Sequence, residues 1–385
     1  METLEKTPNY ELMKSLGPAN NRTPENRGNV NLPIDTLVVS ADNHHSVSED
    51  IWYERFPAHL RDRAPRVWFQ NSTYHIGFAG KTVFPEVLEK IFATYDVIPG
   101  MSRLPERMAD LAIEGIDKEI VFGNNVMTLL LHPDLELREW IYRVYNEYLA
   151  DLAKAYPDKF YGVALMNYWN PTGAASSVSQ IKLMGFKTLM IPIRPGKGLD
   201  GRELAYASEE MEPFWTAIEE SGLPLCFHVG ENFFEGRGGI GTSNLVNFNP
   251  FRHALGQLIF GGIFDRHPGL RIAFVEAGIN WVEGALQDAE MIYAVHHTML
   301  EPSIKHPPRY YWHKHCYATF MTDALGLRLL DEVGADRVMW SSDYPHAEST
   351  LGYGWTAMQA VVKAAGEEKG RDILGATAMK VFNLD

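Results

Sequence analysis

The feature that most constrains the fold is a rhythm. Short apolar runs recur along the chain at 36–42, 118–123, 161–166, 187–193, 224–228, 271–276, 316–320 and 337–343, and seven of the eight are separated from their neighbours by helical text. Most are apolar throughout rather than alternating, as strands buried on both faces of a parallel sheet are. Between them, spacings such as Leu137, Ile141, Val144, Tyr145, Tyr148, Leu149 and Leu152 mark one apolar helix face, which Pro157 closes. Helices are likewise expected at 103–114, 171–184, 211–220, 251–266, about 280–300, 324–333 and 353–366. Eight such strands joined by right-handed crossovers predict an α/β fold, a (β/α)8 TIM barrel, because closure removes the edges an open sheet would expose. A chain of 385 residues suits one such barrel with insertions.

Two stretches fall outside the rhythm. Residues 1–33 are polar and without apolar period, and read as an N-terminal arm lying on the body or on a partner subunit, so the barrel is assigned to 34–385. After the first strand, an insertion at about 51–100 is aromatic- and Pro-rich, with Trp52, Tyr53, Phe56, Trp68, Phe69, Tyr74, His75 and Phe78. It is expected to be a loop region serving as a lid or subdomain, or a satellite core over one barrel end.

Composition removes several function classes. A formal charge of -14 leaves no basic surface for nucleic acid. Cys226 and Cys316 are too few for a disulfide framework and sit in apolar runs, as core residues do. No apolar run reaches the roughly 18 residues a membrane span needs, and no signal-like start is present, so a cytoplasmic enzyme with a small-molecule substrate is expected.

In a barrel the chemistry gathers at the C-terminal ends of the strands. Those ends carry Asp42 and His44, Asn124, Arg194, His228, Glu276, Asp323 and Asp343 in turn. Asp343 closes a buried run, where an unpaired carboxylate costs several kcal/mol, so it either meets a cation or caps the turn before Pro345. Convergence of imidazoles and carboxylates favours the cation: a divalent metal, zinc in the first instance, with manganese or iron as alternatives. Arg194 suits a substrate carboxylate or a surface salt bridge, and His253 either faces the mouth or packs within its helix. The irregular set His296, His297, His306, His313 and His315 reads as loop packing or a subunit contact.

Ser-Ala-Asp-Asn-His-His-Ser at 40–46, Phe-His-Val-Gly at 227–230, the run at 271–281 and above all Ser-Ser-Asp-Tyr-Pro-His at 341–346 resemble the amidohydrolase superfamily. More narrowly they resemble its amidohydrolase-related branch, which contains aminocarboxymuconate-semialdehyde decarboxylase and resorcylate decarboxylase. The resemblance runs from about residue 36 to a closing helix at 372–382. It implies one divalent metal held by Asp42, His44, His228 and Asp343, with the first pair departing from the usual His-x-His toward the carboxylate-x-His variant. The other register, His44 with Ser46, offers a poor ligand. His45 points to the opposite face and is given a supporting role. Where the branch carries a proton-transferring His at the end of strand six, this chain has Glu276, which could move a proton, bind a second metal, or only position His228.

The resemblance thus implies a metal-dependent hydrolase or decarboxylase, cleaving C–C or C–N bonds of a small carboxylated substrate, aromatic carboxylates included. Glu276 and Asp343 would be catalytic, and Arg194 and His253 would bind substrate. A dinuclear iron or mixed-metal oxygenase on the same barrel is the first alternative, and a non-catalytic barrel subunit of a hetero-oligomer the second. A homodimer is expected, with the arm and 296–317 as contact candidates.

Overall fold

The first strand, Val39–His45, is buried along its whole length in the computed structural model, which describes residues 14–24, 32–230 and 234–384. It pairs in parallel with Lys118–Gly123, and that strand with Phe160–Gly162. The chain resumes after Val163 as Ala164–Leu165, then Leu189–Met190, Leu225–His228, Ile272–Val275, Cys316–Phe320 and Val338–Trp340 follow, all parallel and in sequence order. A three-stranded and a six-stranded sheet together hold the eight expected strands in barrel order, the third being split between them. Among the described residues no ladder closes the ring. Hydrogen bonds nevertheless link its ends: the Asp343 N–H donates to the Asp42 carbonyl at 2.9 Å and the His44 N–H to that of Tyr344 at 2.8 Å. The fourth strand is shorter than its apolar text, in keeping with Pro192, which has no N–H for a ladder.

Helices cover the strands as the periodicity predicts. Leu135–Ala153 starts where Asp134 accepts the Leu137 N–H at 3.1 Å, a side-chain cap for an otherwise unpaired donor. Leu104–Glu114 stops at Gly115, whose φ of 76° suits glycine and where a Cβ would stand 1.8 Å from the Trp355 ring. That helix also sends Arg107 inward to Glu119 of the second strand, Nε to Oε1 at 2.7 Å and Nη2 to Oε2 at 2.6 Å, with neither side chain exposed. Its Nη1 donates to the His44 carbonyl at 2.6 Å, and Asn43 Nδ2 donates to Glu119 Oε2 at 2.6 Å. Asn43 Oδ1 accepts the Tyr344 N–H at 2.9 Å, so one buried network ties the first strand to the segment after the eighth.

The insertion corrects the expectation of a loop region. It holds a helix, Ile51–Arg55, an antiparallel sheet of Arg66–Gln70, Thr73–Phe78 and Lys81–Thr82, and a second helix, Glu86–Phe92. The sheet turns at Asn71 and Ser72, both at positive φ, the two-residue hairpin geometry that Asn favours. Of the arm, residues 14–24 lie against the body: the Asn20 N–H donates to the Thr94 carbonyl at 3.1 Å, and Arg22 binds the segment after the eighth strand. Residues 1–13 and 25–31 lie outside the described residues.

Candidate metal centre

Asp42 and His44 stand two apart on the first strand and reach one face, where His228 arrives from the end of the fifth strand. Glu276 and Asp343 follow the sixth and eighth strands, and each takes a left-handed backbone, φ 56° and 60°. Such a conformation is unfavourable for a residue other than Gly, costs about 1–3 kcal/mol and concentrates at functional sites. Here it turns a carboxylate inward just past a strand. Thr319 helps by accepting the Glu276 N–H at 2.8 Å.

The resulting group is compact. His44 Nε2 lies 3.4 Å from Asp42 Oδ1, 3.5 Å from Glu276 Oε2 and 3.2 Å from Asp343 Oδ1, while His228 Nε2 lies 3.4 Å from both Asp42 Oδ1 and Glu276 Oε2. Donors held about 2.0–2.2 Å from one ion and spread tetrahedrally stand roughly 3.3–3.6 Å apart. Ligand atoms of Asp42, His44, His228 and Glu276 all lie within 4.8 Å of one another, as do those of His44, Glu276, Asp343 and His346. Of the four residues expected to bind a metal, the structure brings Asp42, His44 and His228 into one group with Glu276, and Asp343 into a second that shares His44 and Glu276 with it. Asp343 joins the second group with His346, whose ring stacks on His44 at 3.8 Å.

Two observations test whether a cation fits. Both oxygens of Asp42 and of Asp343, both nitrogens of His44 and Nε2 of His228 are buried without a hydrogen-bond partner, although the atoms approach one another closely. Buried polar atoms are normally paired, so orphaned donors gathered this closely fit the ligands of a cation. His228 is oriented for this, because its Nδ1 lies 3.0 Å from the Val229 carbonyl, which leaves Nε2 toward the group. Charge points the same way. Burial alone would push the Asp42 carboxyl up, but His228 and His44 outweigh it and hold it down at about 2. Burial likewise opposes a proton on His44, yet Asp42, Asp343 and Glu276 raise its affinity well above the ordinary imidazole range. Asp343 goes well up, through burial and the Glu276 charge. Without a metal, protons must offset this crowd of carboxylates; a divalent ion would replace them.

His44, His228 and Glu276 of the group line a cavity of about 140 Å³ together with His346, Glu348, Ile91, Phe92 and Met127. An apolar cavity of about 150 Å³ accommodates a benzene ring. Phe92 and Tyr95 come from the insertion's second helix and the turn that follows that helix, so the insertion contributes to the cavity wall. The other expected site residues lie elsewhere. Arg194 is exposed and outside the cavity lining; His253 is exposed, 3.0 Å from Gln257 one helical turn on. Arg194 lies just past the fourth strand and His253 within the helix Asn249–Phe260, and both side chains reach the surface. Asp323 caps the next helix and accepts the N–H groups of Ile279 and Asn280 at 2.8 Å. His45 is buried on the far face with Nε2 2.9 Å from the Tyr148 hydroxyl. His315 stacks on Phe264 and His306 on Tyr310, so these two of the five distal histidines serve packing. His346 and Glu348 were not singled out from the sequence; His346 stood in the quoted motif, and its spacing from Asp343 was the available signal.

A model of the family described as Amidohydrolase matches residues 134–384, and the chain belongs to that family. Within it, the chain is 26% identical over 322 residues to a gamma-resorcylate decarboxylase from Rhodococcus jostii (strain RHA1), covering 75% of this chain and 93% of the relative. Among solved structures, the amidohydrolase map2389c from Mycobacterium avium subsp. paratuberculosis K-10 superposes with a TM-score of 0.74 at 16% identity, covering 91% of this chain and 100% of that one. A 5-carboxyvanillate decarboxylase from Novosphingobium aromaticivorans DSM 12444, solved with bound manganese, gives 0.67 at 19% identity, covering 92% and 100%. At these identities the structural likeness speaks for the fold, and the family implies that the two parallel sheets belong to a TIM barrel. Among the described residues no helix is long and apolar enough to cross a membrane.

Proposed function

We propose that the chain is a metal-dependent carboxy-lyase that removes CO2 from a small aromatic carboxylate. The observation that carries this is the set of orphaned ligand atoms of Asp42, His44 and His228, the two histidines lining a cavity sized for a single ring. The relatives support decarboxylation over hydrolysis, since the curated one named above is a decarboxylase. Asp42, His44, His228 and Asp343 would hold the ion, with Glu276 in reach of it. When bound, it supplies a Lewis acid toward a substrate oxygen. The apolar wall formed by Ile91, Phe92 and Met127 orients the ring and excludes water. As the C–C bond breaks, its electron pair stays on the ring carbon, CO2 leaves, and that carbon takes a proton. Glu276 both reaches the cavity and lies in the ligand group, which suits it to relay that proton from solvent.

The second group, His44, Glu276, Asp343 and His346, favours one other reading: a two-metal site with Glu276 shared, as in an oxygenase. Metal analysis of protein purified from manganese- and iron-supplemented cells separates the two. One manganese or zinc per chain, with CO2 released from a hydroxybenzoate and lost in Glu276→Gln, is the expected result. Two metals including iron, with no CO2 release, would favour the oxygenase.

A further inference from the structure

Two contacts made by arm residues 14–24 fall on segments that line the cavity. Arg22 makes the first: its Nη2 donates to the Ala347 carbonyl and its Nη1 to that of Ser349, both at 2.9 Å, so one planar fork holds the loop after the eighth strand at two points. Its Nε turns back to the Gly17 carbonyl at 3.0 Å, which braces the arm on itself. The arm also packs on Gly352, where a Cβ would stand 3.1 Å from the Thr23 carbonyl and 3.4 Å from Arg22 Cβ. The second contact is the Asn20 N–H on the Thr94 carbonyl at 3.1 Å, one residue before Tyr95, and Ala19, next in the chain, is fully buried. None of the described arm residues lines the cavity, yet both segments they hold do. The loop supplies His346 and Glu348, and the turn after the helix Glu86–Phe92 supplies Tyr95. Those two walls meet inside, with the Tyr95 and His346 rings 4.8 Å apart and His346 stacked on His44 at 3.8 Å. The loop's own bonds, the Ser349 N–H to the His346 carbonyl at 3.2 Å and the Thr350 N–H to that of Ser342 at 2.8 Å, run to carbonyls other than the two that Arg22 holds.

We propose that the arm is a staple across two walls of the cavity and that Arg22 is its positioning residue, seating the His346 ring against His44 and so fixing the space a ring-shaped ligand must fit. Charge-assisted bonds to two carbonyls from one rigid fork set direction as well as distance, which a single ammonium does not. The expected effect is on ligand fit rather than on metal, because Asp42, His44 and His228 are placed by strands that the arm does not hold. The ring ligand rests on the carboxy-lyase reading; the staple itself does not.

The test compares the full wild-type chain with Arg22→Met, Arg22→Lys and a control of the same kind elsewhere, Arg309→Met, which removes a two-point bond to Glu283 at 2.8 and 2.7 Å. Amide exchange followed by mass spectrometry should be about tenfold faster at 344–353 and 91–96 in Arg22→Met and unchanged there in Arg309→Met. Calorimetry on manganese-loaded protein should show benzoate bound about tenfold more weakly by Arg22→Met, with manganese affinity within roughly threefold of wild type and Arg22→Lys between the two. Exchange that is unchanged at both segments, or faster exchange with unchanged benzoate affinity, overturns the inference. So does full recovery in Arg22→Lys, which would make charge rather than a two-point grip the cause, and so does manganese lost in step with benzoate. Equal weakening of benzoate in Arg309→Met would trace the effect to general stability and sink the staple as well. If benzoate fails to bind manganese-loaded wild type, the carboxy-lyase reading falls, and exchange alone decides the staple: faster at both segments upholds it, unchanged ends it.

Discussion

Two clusters of buried charge meet at His44, and they are built on opposite principles. On the backbone side, Arg107 and Glu119 form a two-point pair, and the spare donor of Arg107 goes to the His44 carbonyl. On the side-chain side, Asp42, His228 and Asp343 crowd the His44 ring with their facing atoms unpaired. Burial of charge is the same in both; what differs is satisfaction. A buried pair with its hydrogen bonds made holds a fold in one register, whereas a buried cluster with its bonds unmade is waiting for a ligand. The first therefore positions the second.

The comparison breaks most visibly at the unpaired cluster. Asp42→Ala or His228→Ala should weaken manganese binding by roughly a thousandfold, about 4 kcal/mol of the roughly 10–16 kcal/mol a full protein zinc site supplies, and turnover should go with it. Asp42 is held ionised by His44 and His228 in the metal-free protein, so metal-free Asp42→Ala should lose only the modest stability those two contacts supply, less than the loss of metal costs. Metal titration paired with unfolding in chelator reads both. A metal-free variant several kcal/mol less stable would place the cluster with the structural pair instead.

Arg107→Met is the complementary change. It strands Glu119 in the interior and should cost about 3–5 kcal/mol, while a double replacement of Arg107 and Glu119 by apolar residues should recover most of that. The loss should appear without metal and be larger with it in urea unfolding, because the same guanidinium holds the His44 carbonyl. A loss confined to the metal-loaded form would mean that the pair acts on the ligands alone.

These differences were only partly legible in the sequence. The strands could be read because burial on both faces leaves a continuous apolar run, and the barrel rule then collected Asp42, His44, His228, Glu276 and Asp343 without knowledge of any contact. The division of labour between Glu276 and Asp343 could not be read, because it depends on two left-handed backbone positions that hydrophobic period does not encode. Arg194 and His253 mark the same limit: neither a place after a strand nor one in a helix beside the mouth specifies a direction. Glu348 lay beyond reach because its placement depends on Arg22, more than three hundred residues away in sequence, as the 325- and 327-residue separations of its two bonds show. The insertion hid its sheet behind an Asn-Ser turn, a weaker hairpin signal than Asn-Gly.

A third buried carboxylate sharpens the comparison with the smallest effect. Asp96 accepts the Ser46 hydroxyl at 2.8 Å and the Tyr74 N–H at 2.9 Å, so its oxygens are satisfied as those of Glu119 are. It differs in having no cation. Burial pushes its carboxyl up to about 7 from 3.8, with the two hydrogen bonds opposing only in part. The folded protein then keeps a proton that the unfolded chain releases above about pH 4, so stability should fall as pH rises toward 7 and level off beyond. Between pH 5 and 8 this group should remove about 3 kcal/mol. Asp96→Asn should flatten that part of the urea-midpoint profile. An unchanged slope in the variant would mean that Asp96 is ionised in place, and that two hydrogen bonds suffice where Glu119 has a guanidinium.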